Sequence, residues 1–207
     1  MPFLLHPRNH FAHEVHWQDV WSLEKQGDAY SSLGRRHGQK PAIDGPIPYR
    51  MKKGRFSTDG KLYDIAPGRW SSDLIVSTRV RDLIREMDPV SHYFIPLELT
   101  LKDDSTDTTH FLFVAGDRIN GIVAEESDVL PKLIDGKLAY YSVGGSPKIV
   151  WDADVILGRA IWVDQYLPTQ IVISDELQAV FKKAKFQKYT VTSSSASVGW
   201  VKPTVCF

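Results

Sequence analysis

Two stretches decide the fold: Leu74-Ile-Val-Ser-Thr-Arg-Val-Arg-Asp-Leu-Ile-Arg-Glu-Met87 and Ile171-Val-Ile-Ser-Asp-Glu-Leu-Gln-Ala-Val-Phe-Lys-Lys-Ala184. Each opens on three aliphatic residues, the composition of a short strand, and then places a serine, Ser77 or Ser174. Apolar residues follow at Val80, Leu83, Ile84 and Met87 in the first copy and at Leu177, Val180, Phe181 and Ala184 in the second. That spacing lines one face of a helix. Each serine stands three residues before the first apolar position, where its hydroxyl can accept from a free backbone N–H as an N-cap. Asp175 and Glu176 in the first turn, with Lys182, Lys183 and Lys185 near the end, suit the dipole of the second helix. Asp88-Pro89 stops the first. The chain thus predicts two strand–Ser–helix units.

Between them the period changes from helical to two. Tyr93, Ile95, Leu97, Leu99 and Leu101 alternate with more polar neighbours, which predicts a half-buried strand with Pro96 at an edge or bulge. His110–Val114 reads as its hairpin partner, and further strands are predicted at 138–143, 148–151 and 160–163. Ahead of this, Pro41, Gly45, Pro46, Pro48, Gly54 and Gly60 punctuate a region of patchy periodicity, read as loops with one helix near Val15–Trp21. The Ser-rich stretch from Thr192 to Ser197 reads as a loop. The expected class is α+β with a mainly antiparallel sheet, divided into a loop-rich region 1–65 and a core domain 66–207.

The chain has 207 residues, of which 25 are basic and 25 acidic, and 43% are hydrophobic. This is the balance of a globular protein, and it excludes a disordered chain or a uniformly basic nucleic-acid binder. The zero net charge is a cancellation. Residues 88–130 hold nine acidic side chains and two basic ones, whereas 181–207 hold five lysines and no acid. Cys206, the one cysteine, cannot form an internal disulfide, so a reducing compartment is expected. The apolar run at Phe3-Leu-Leu5 is too short for a signal-peptide core, and no stretch approaches the ~20 apolar residues of a membrane helix. These features predict a soluble cytoplasmic protein with neither a membrane nor a nucleic-acid partner.

Catalytic signatures are weak. His6, His10, His13 and His16 cluster around Glu14 and could present imidazoles to a metal. Yet His13-Glu-Val-His16 is one residue short of the zincin spacing, and Pro7 interrupts a helix through the cluster. A small metal-dependent enzyme using these histidines is therefore the alternative reading, with no metal or cofactor as the main expectation. Asp103-Asp-Ser-Thr-Asp107 matches an aspartate-rich magnesium motif, but it joins two predicted strands and reads as a solvated loop. Asp152-x-Asp154 has the spacing of a metal-binding pair without the nucleotide-binding unit that precedes one. No nucleophile elbow, phosphate loop or dinucleotide fingerprint occurs.

The order of short motifs resembles a family of bacterial polymorphic-toxin immunity proteins, long described as a domain of unknown function and typified by a myxobacterial member. The resemblance runs from Lys61-Leu-Tyr-Asp64 through Leu74–Ile84, Phe94–Leu99, Phe111–Val114 and Arg159–Trp162 to Ile171–Leu177, covering roughly residues 61–190. One departure stands out: members often close the last helix with a glycine turn, whereas Lys185-Phe-Gln-Lys-Tyr189 has none. The resemblance implies a non-enzymatic protein that binds and neutralises a cognate toxin, the product of an adjacent gene, and the lack of a signal peptide points to a toxin acting in the cytosol. It transfers no catalytic residue. Partner contacts are expected instead at the acidic positions Asp103, Asp104, Asp107, Glu125, Glu126 and Asp128, with Ser77 and Ser174 as structural caps.

Overall fold

Both serines cap helices with nearly the same geometry. Ser77 (φ −71°, ψ 164°) accepts from the N–H of Val80 at 3.4 Å, and Ser174 (φ −69°, ψ 164°) accepts from the N–H of Leu177 at 3.1 Å. Such a cap is worth about 1 kcal/mol. The computed structural model that shows this describes residues 1–7, 15–16, 45–51, 63–67, 74–88, 90, 92–101, 103–116, 118–144, 147–186 and 189–197.

In chain order the first strands are β1 (Phe3–Pro7), β2 (Val15–His16), β3 (Ile47–Met51), β4 (Ile65–Pro67) and β5 (Leu74–Ser77), which leads into helix α1 (Thr78–Met87). There follow β6 (Tyr93–Thr100), β7 (Thr106–Asp107), β8 (His110–Val114), β9 (Arg118–Ile119), β10 (Leu130–Ile134), β11 (Lys137–Ser142) and β12 (Val150–Asp152). Helix α2 (Ala153–Ile156), β13 (Ile161–Asp164), β14 (Leu167–Ile173), helix α3 (Asp175–Lys183), β15 (Tyr189–Ser193) and β16 (Ser195–Ser197) complete the order. One sheet runs β2-β3-β6-β8-β5-β4 with β7 alongside β6, and another runs β15-β1-β14-β13-β9. Most pairings are antiparallel, so the fold is α+β as the sequence predicts.

The sequence echo is also an echo in three dimensions. β4 pairs antiparallel with β5 as β13 does with β14, and the serine N–H that ends each second strand donates across at 2.9 Å, to Asp64 C=O or Ala160 C=O. A third antiparallel strand flanks each unit, β8 beside β5 and β1 beside β14. Leu74, Val76, Ile171 and Ile173 share a single core with Val80 and Ile84 of α1 and Leu177 and Phe181 of α3. The intervening Ile75 and Val172 belong to two further clusters on the other faces of the sheets. Burial on both faces is why these strands read as unbroken aliphatic runs rather than alternating ones.

The arginines of α1 seal the edge of this core. Arg79, Arg81 and Arg85 lie 5.0, 4.4 and 5.1 Å above the rings of Phe186, Phe111 and Phe94. Pro96 stands opposite Phe111 at the last pairing of β6 with β8, one residue before the ladder to β3 starts at Leu97.

Two expectations need correction. Val15 and His16 are extended and pair with Met51 and Arg50 of β3; the rest of the helix expected up to Trp21 falls outside the described residues. The Ser-rich segment is strand for most of its length, because β1 and β12 offer it edges to pair with: β15 joins β1, and β16 joins β12.

Helix α3 closes without glycine through a strained residue. Lys185 adopts φ 58°, its N–H donates to Lys182 C=O at 3.1 Å, and the N–H of Phe186 reaches Phe181 C=O at 3.2 Å. This is the paired-bond motif that ordinarily takes a glycine, and the Phe181 and Phe186 rings, 5.3 Å apart, supply its apolar contact. Lys185→Gly should therefore raise unfolding free energy by about 0.5–1 kcal/mol, read from the urea midpoint at unchanged slope.

The end of α1 is tied to the second unit by Asp88, whose carboxylate is fully buried. Its Oδ2 accepts from the N–H groups of Ala160 and Ile161, both at 2.8 Å, and its Oδ1 from Val90 N–H at 2.9 Å. His92 Nε2 stands 3.5 Å away, while its Nδ1 accepts from Gly116 N–H at 3.3 Å. Burial works against the Asp88 charge, but His92 and the N–H groups of Ile161 and Val90 outweigh it and hold the carboxyl below its ordinary 3.8. A carboxyl lowered by folding stabilises above its unfolded value and ceases to do so as pH falls through the folded one. The stability difference between the wild type and Asp88→Asn should therefore shrink as pH drops from about 5 to about 2. Asp164, pushed up by burial despite N–H donors from Gly121 and Tyr166, contributes the opposite slope to both proteins and leaves this difference intact.

Candidate partner-binding surface

The acidic residues expected to contact a partner fall into two groups at separate turns. Asp103 and Asp104 are exposed at the turn that joins β6 to β7. The turn is shaped by Asp103 Oδ1, which accepts from Ser105 N–H at 3.0 Å and Oγ–H at 2.6 Å, and by Asp104 at φ 65°. Asp107, only partly exposed, is engaged internally. It accepts from Thr109 N–H at 2.9 Å and lies 2.8 Å from Nδ1 of the buried His110, whose Nε2 faces Tyr63 C=O at 3.3 Å. Burial raises the Asp107 carboxyl, but the bonds from His110 and Thr109 prevail and set it below its ordinary range.

The second group sits on a 3-10 turn, Ala124–Glu126, just ahead of β10. Glu125, Glu126 and Asp128 are exposed. Ser127 pins this turn to β12: its hydroxyl donates to Val123 C=O at 2.7 Å and accepts from Val150 N–H at 2.9 Å. Asp128 exchanges two bonds with Lys148, through its own N–H at 2.8 Å and its carboxylate at 3.0 Å. The carboxylates of Glu125 and Glu126 are thus presented from a fixed backbone. Burial, then the charges of Asp164, Glu125 and Tyr166, push the phenol of Tyr141 up.

The remaining sequence candidates are structural or dispersed. Asp152 caps α2, its Oδ1 accepting from Asp154 N–H at 2.9 Å and Val155 N–H at 3.3 Å. His6 lies on β1 and His16 on β2, in different sheets, while His10 and His13 fall outside the described residues. Burial lowers the His6 imidazole. Among the described residues no group of three His, Cys, Asp or Glu side chains is placed to hold a metal ion, and no helix is long and apolar enough to cross a membrane. A cleft of about 450 Å3 opens where the end of α1 and the start of α3 meet α2, with Met87, Ile156, Leu157, Arg159, Trp162 and Glu176 in its lining. Neither acidic turn lines it.

The described part of the chain is thus a sheet scaffold that carries two separate acidic turns. The chain matches the Immunity protein family (Imm11) over residues 7–192, and it belongs to that family. No curated protein matches it. The match starts far ahead of residue 61 and so takes in much of the N-terminal region that the motif resemblance left out.

The two kinds of carboxylate in this surface predict different mutational behaviour. Asp107→Ala leaves a ring nitrogen of buried His110 without its carboxylate partner, and should cost about 1–3 kcal/mol in urea unfolding. Asp103→Asn keeps an acceptor oxygen, and Glu125→Gln alters an exposed group; each should change stability by less than about 0.5 kcal/mol.

Proposed function

We propose that this protein neutralises a cognate toxin acting in the cytosol, by non-covalent binding rather than catalysis, and that the toxin is encoded beside it. The family match over residues 7–192 carries this reading. The electrostatics support it. Asp103, Asp104, Glu125 and Glu126 are exposed, Asp103 shapes the turn it stands on, Asp107 is engaged by Thr109 and His110, and Asp128 ties the second turn to Lys148. An acidic surface of this kind speeds association with a basic partner and rejects acidic ones.

Co-expression with the product of the neighbouring toxin gene should restore growth, and the two proteins should co-purify. Absence of both effects removes the immunity reading. Glu125→Gln/Glu126→Gln should slow association by about tenfold at low ionic strength, with the gap closing as salt is added, measured by stopped-flow or surface plasmon resonance.

A further inference from the structure

The β10–β11 hairpin exposes more apolar surface than its own stability explains. Leu130, Leu133 and Ile134 are 65%, 62% and 61% exposed and Tyr140 is 45% exposed, and all five residues of β10 are open to solvent. The hairpin is nonetheless well defined. Asp135 (φ 51°) and Gly136 (φ 74°) make the two-residue turn between the Ile134–Lys137 pair. At its base Tyr141 N–H donates to Tyr166 C=O, the two rings meet edge-on at 5.9 Å, and Val129 and Val143 pack on the core beneath the second sheet.

Among the described residues β10 pairs only with β11, and no described strand lies on its outer edge. That edge carries three devices that discourage a further strand: Pro131, which has no N–H to give; Lys132; and a register shift between Lys132 and Leu133. Antiparallel pairing of two copies about the middle of β10 would set Lys132 against Lys132. A second copy is therefore disfavoured as the occupant. What the hairpin offers is its side chains, flanked at the base by fixed carboxylates.

We propose that the β10–β11 hairpin is the element that enters the toxin, seating Leu133, Ile134 and Tyr140 in an apolar groove whose rim is basic and meets Glu125 and Glu126. This deepens the immunity reading and rests on it. The central apolar side chains supply the affinity, the carboxylates supply the approach, and the blunted edge keeps the free protein from pairing with itself.

The test uses the full chain and the toxin from the neighbouring gene. Leu133→Ser/Ile134→Ser should weaken toxin binding by at least about 30-fold and abolish growth rescue, with circular dichroism and the melting temperature unchanged, because both positions are exposed. Backbone hydrogen exchange across residues 130–142 should slow in the complex. A double variant that binds within about threefold of the wild type overturns the hairpin assignment while leaving the immunity reading standing. If the wild type itself neither binds nor rescues, the immunity reading falls first. Exchange already slow in the free protein would mean that another part of this chain covers the hairpin. A wild-type dimer that the double variant converts to monomer would make the hairpin a self-association surface. Either result overturns the proposal.

Discussion

One buried carboxylate joins the two halves of this molecule. Asp88 stands at the C-terminal end of α1, and its oxygens take up three backbone N–H groups, two of them at the start of β13. Those groups have no water to turn to, so losing the acceptor would cost the desolvation of each. Because the Ala160 and Ile161 amides are fixed there, β13 enters at the right place to pair with β14. The Ala160 carbonyl then meets the N–H of Ser174, the residue that caps α3. The carboxylate that ends the first helix thus positions the residue that starts the second.

The strand–Ser–helix units were legible because three independent signals agree in each: an aliphatic run, a capping residue and a helical period. Such agreement across levels marks a sequence that specifies its local structure. The central hairpin was legible for a similar reason, since alternation from Tyr93 to Leu101 has few other interpretations. β1 was not, because a three-residue apolar run cannot announce that it fills the gap between β14 and β15. Nor was β15–β16: Thr and Ser score as loop formers, and only the edges of β1 and β12 make them strand. The absent glycine after α3 was visible in the sequence. Its outcome, a lysine held in a left-handed conformation by the Phe181–Phe186 contact, required three dimensions.

The acidic block was equally visible, but not its division of labour. Composition counts Asp88 and Asp107 alongside Asp103, Glu125 and Glu126. In the fold the first two spend their charge on backbone amides and a histidine, Asp103 shapes its own exposed turn, and Glu125 and Glu126 are open to solvent. Burial of the neighbours decides this, and a one-dimensional charge count carries no information on burial. Half of the hairpin was hidden: a strand is expected at 138–143 but none over Leu130–Ile134, and nothing in Leu-Pro-Lys-Leu-Ile tells that its apolar side chains stay exposed.

The Trp151 indole N–H donates to the Ser194 hydroxyl, which donates in turn to the carbonyl of Pro2, 192 positions away in the chain. β1 lies between strands that follow it by almost the whole described length. A strand so placed cannot be paired until nearly all the rest of the chain is present. Closing that sheet carries a large loop-closure cost and counts among the most non-local contacts a fold can make. The first of the described strands in chain order is among the last to find its neighbours, and until it does, the apolar side chains of Leu4 and Leu5 and the edge of β14 stay uncovered. Refolding should thus be limited by the docking of one five-residue strand, with the interval before it as the period of greatest exposure to aggregation.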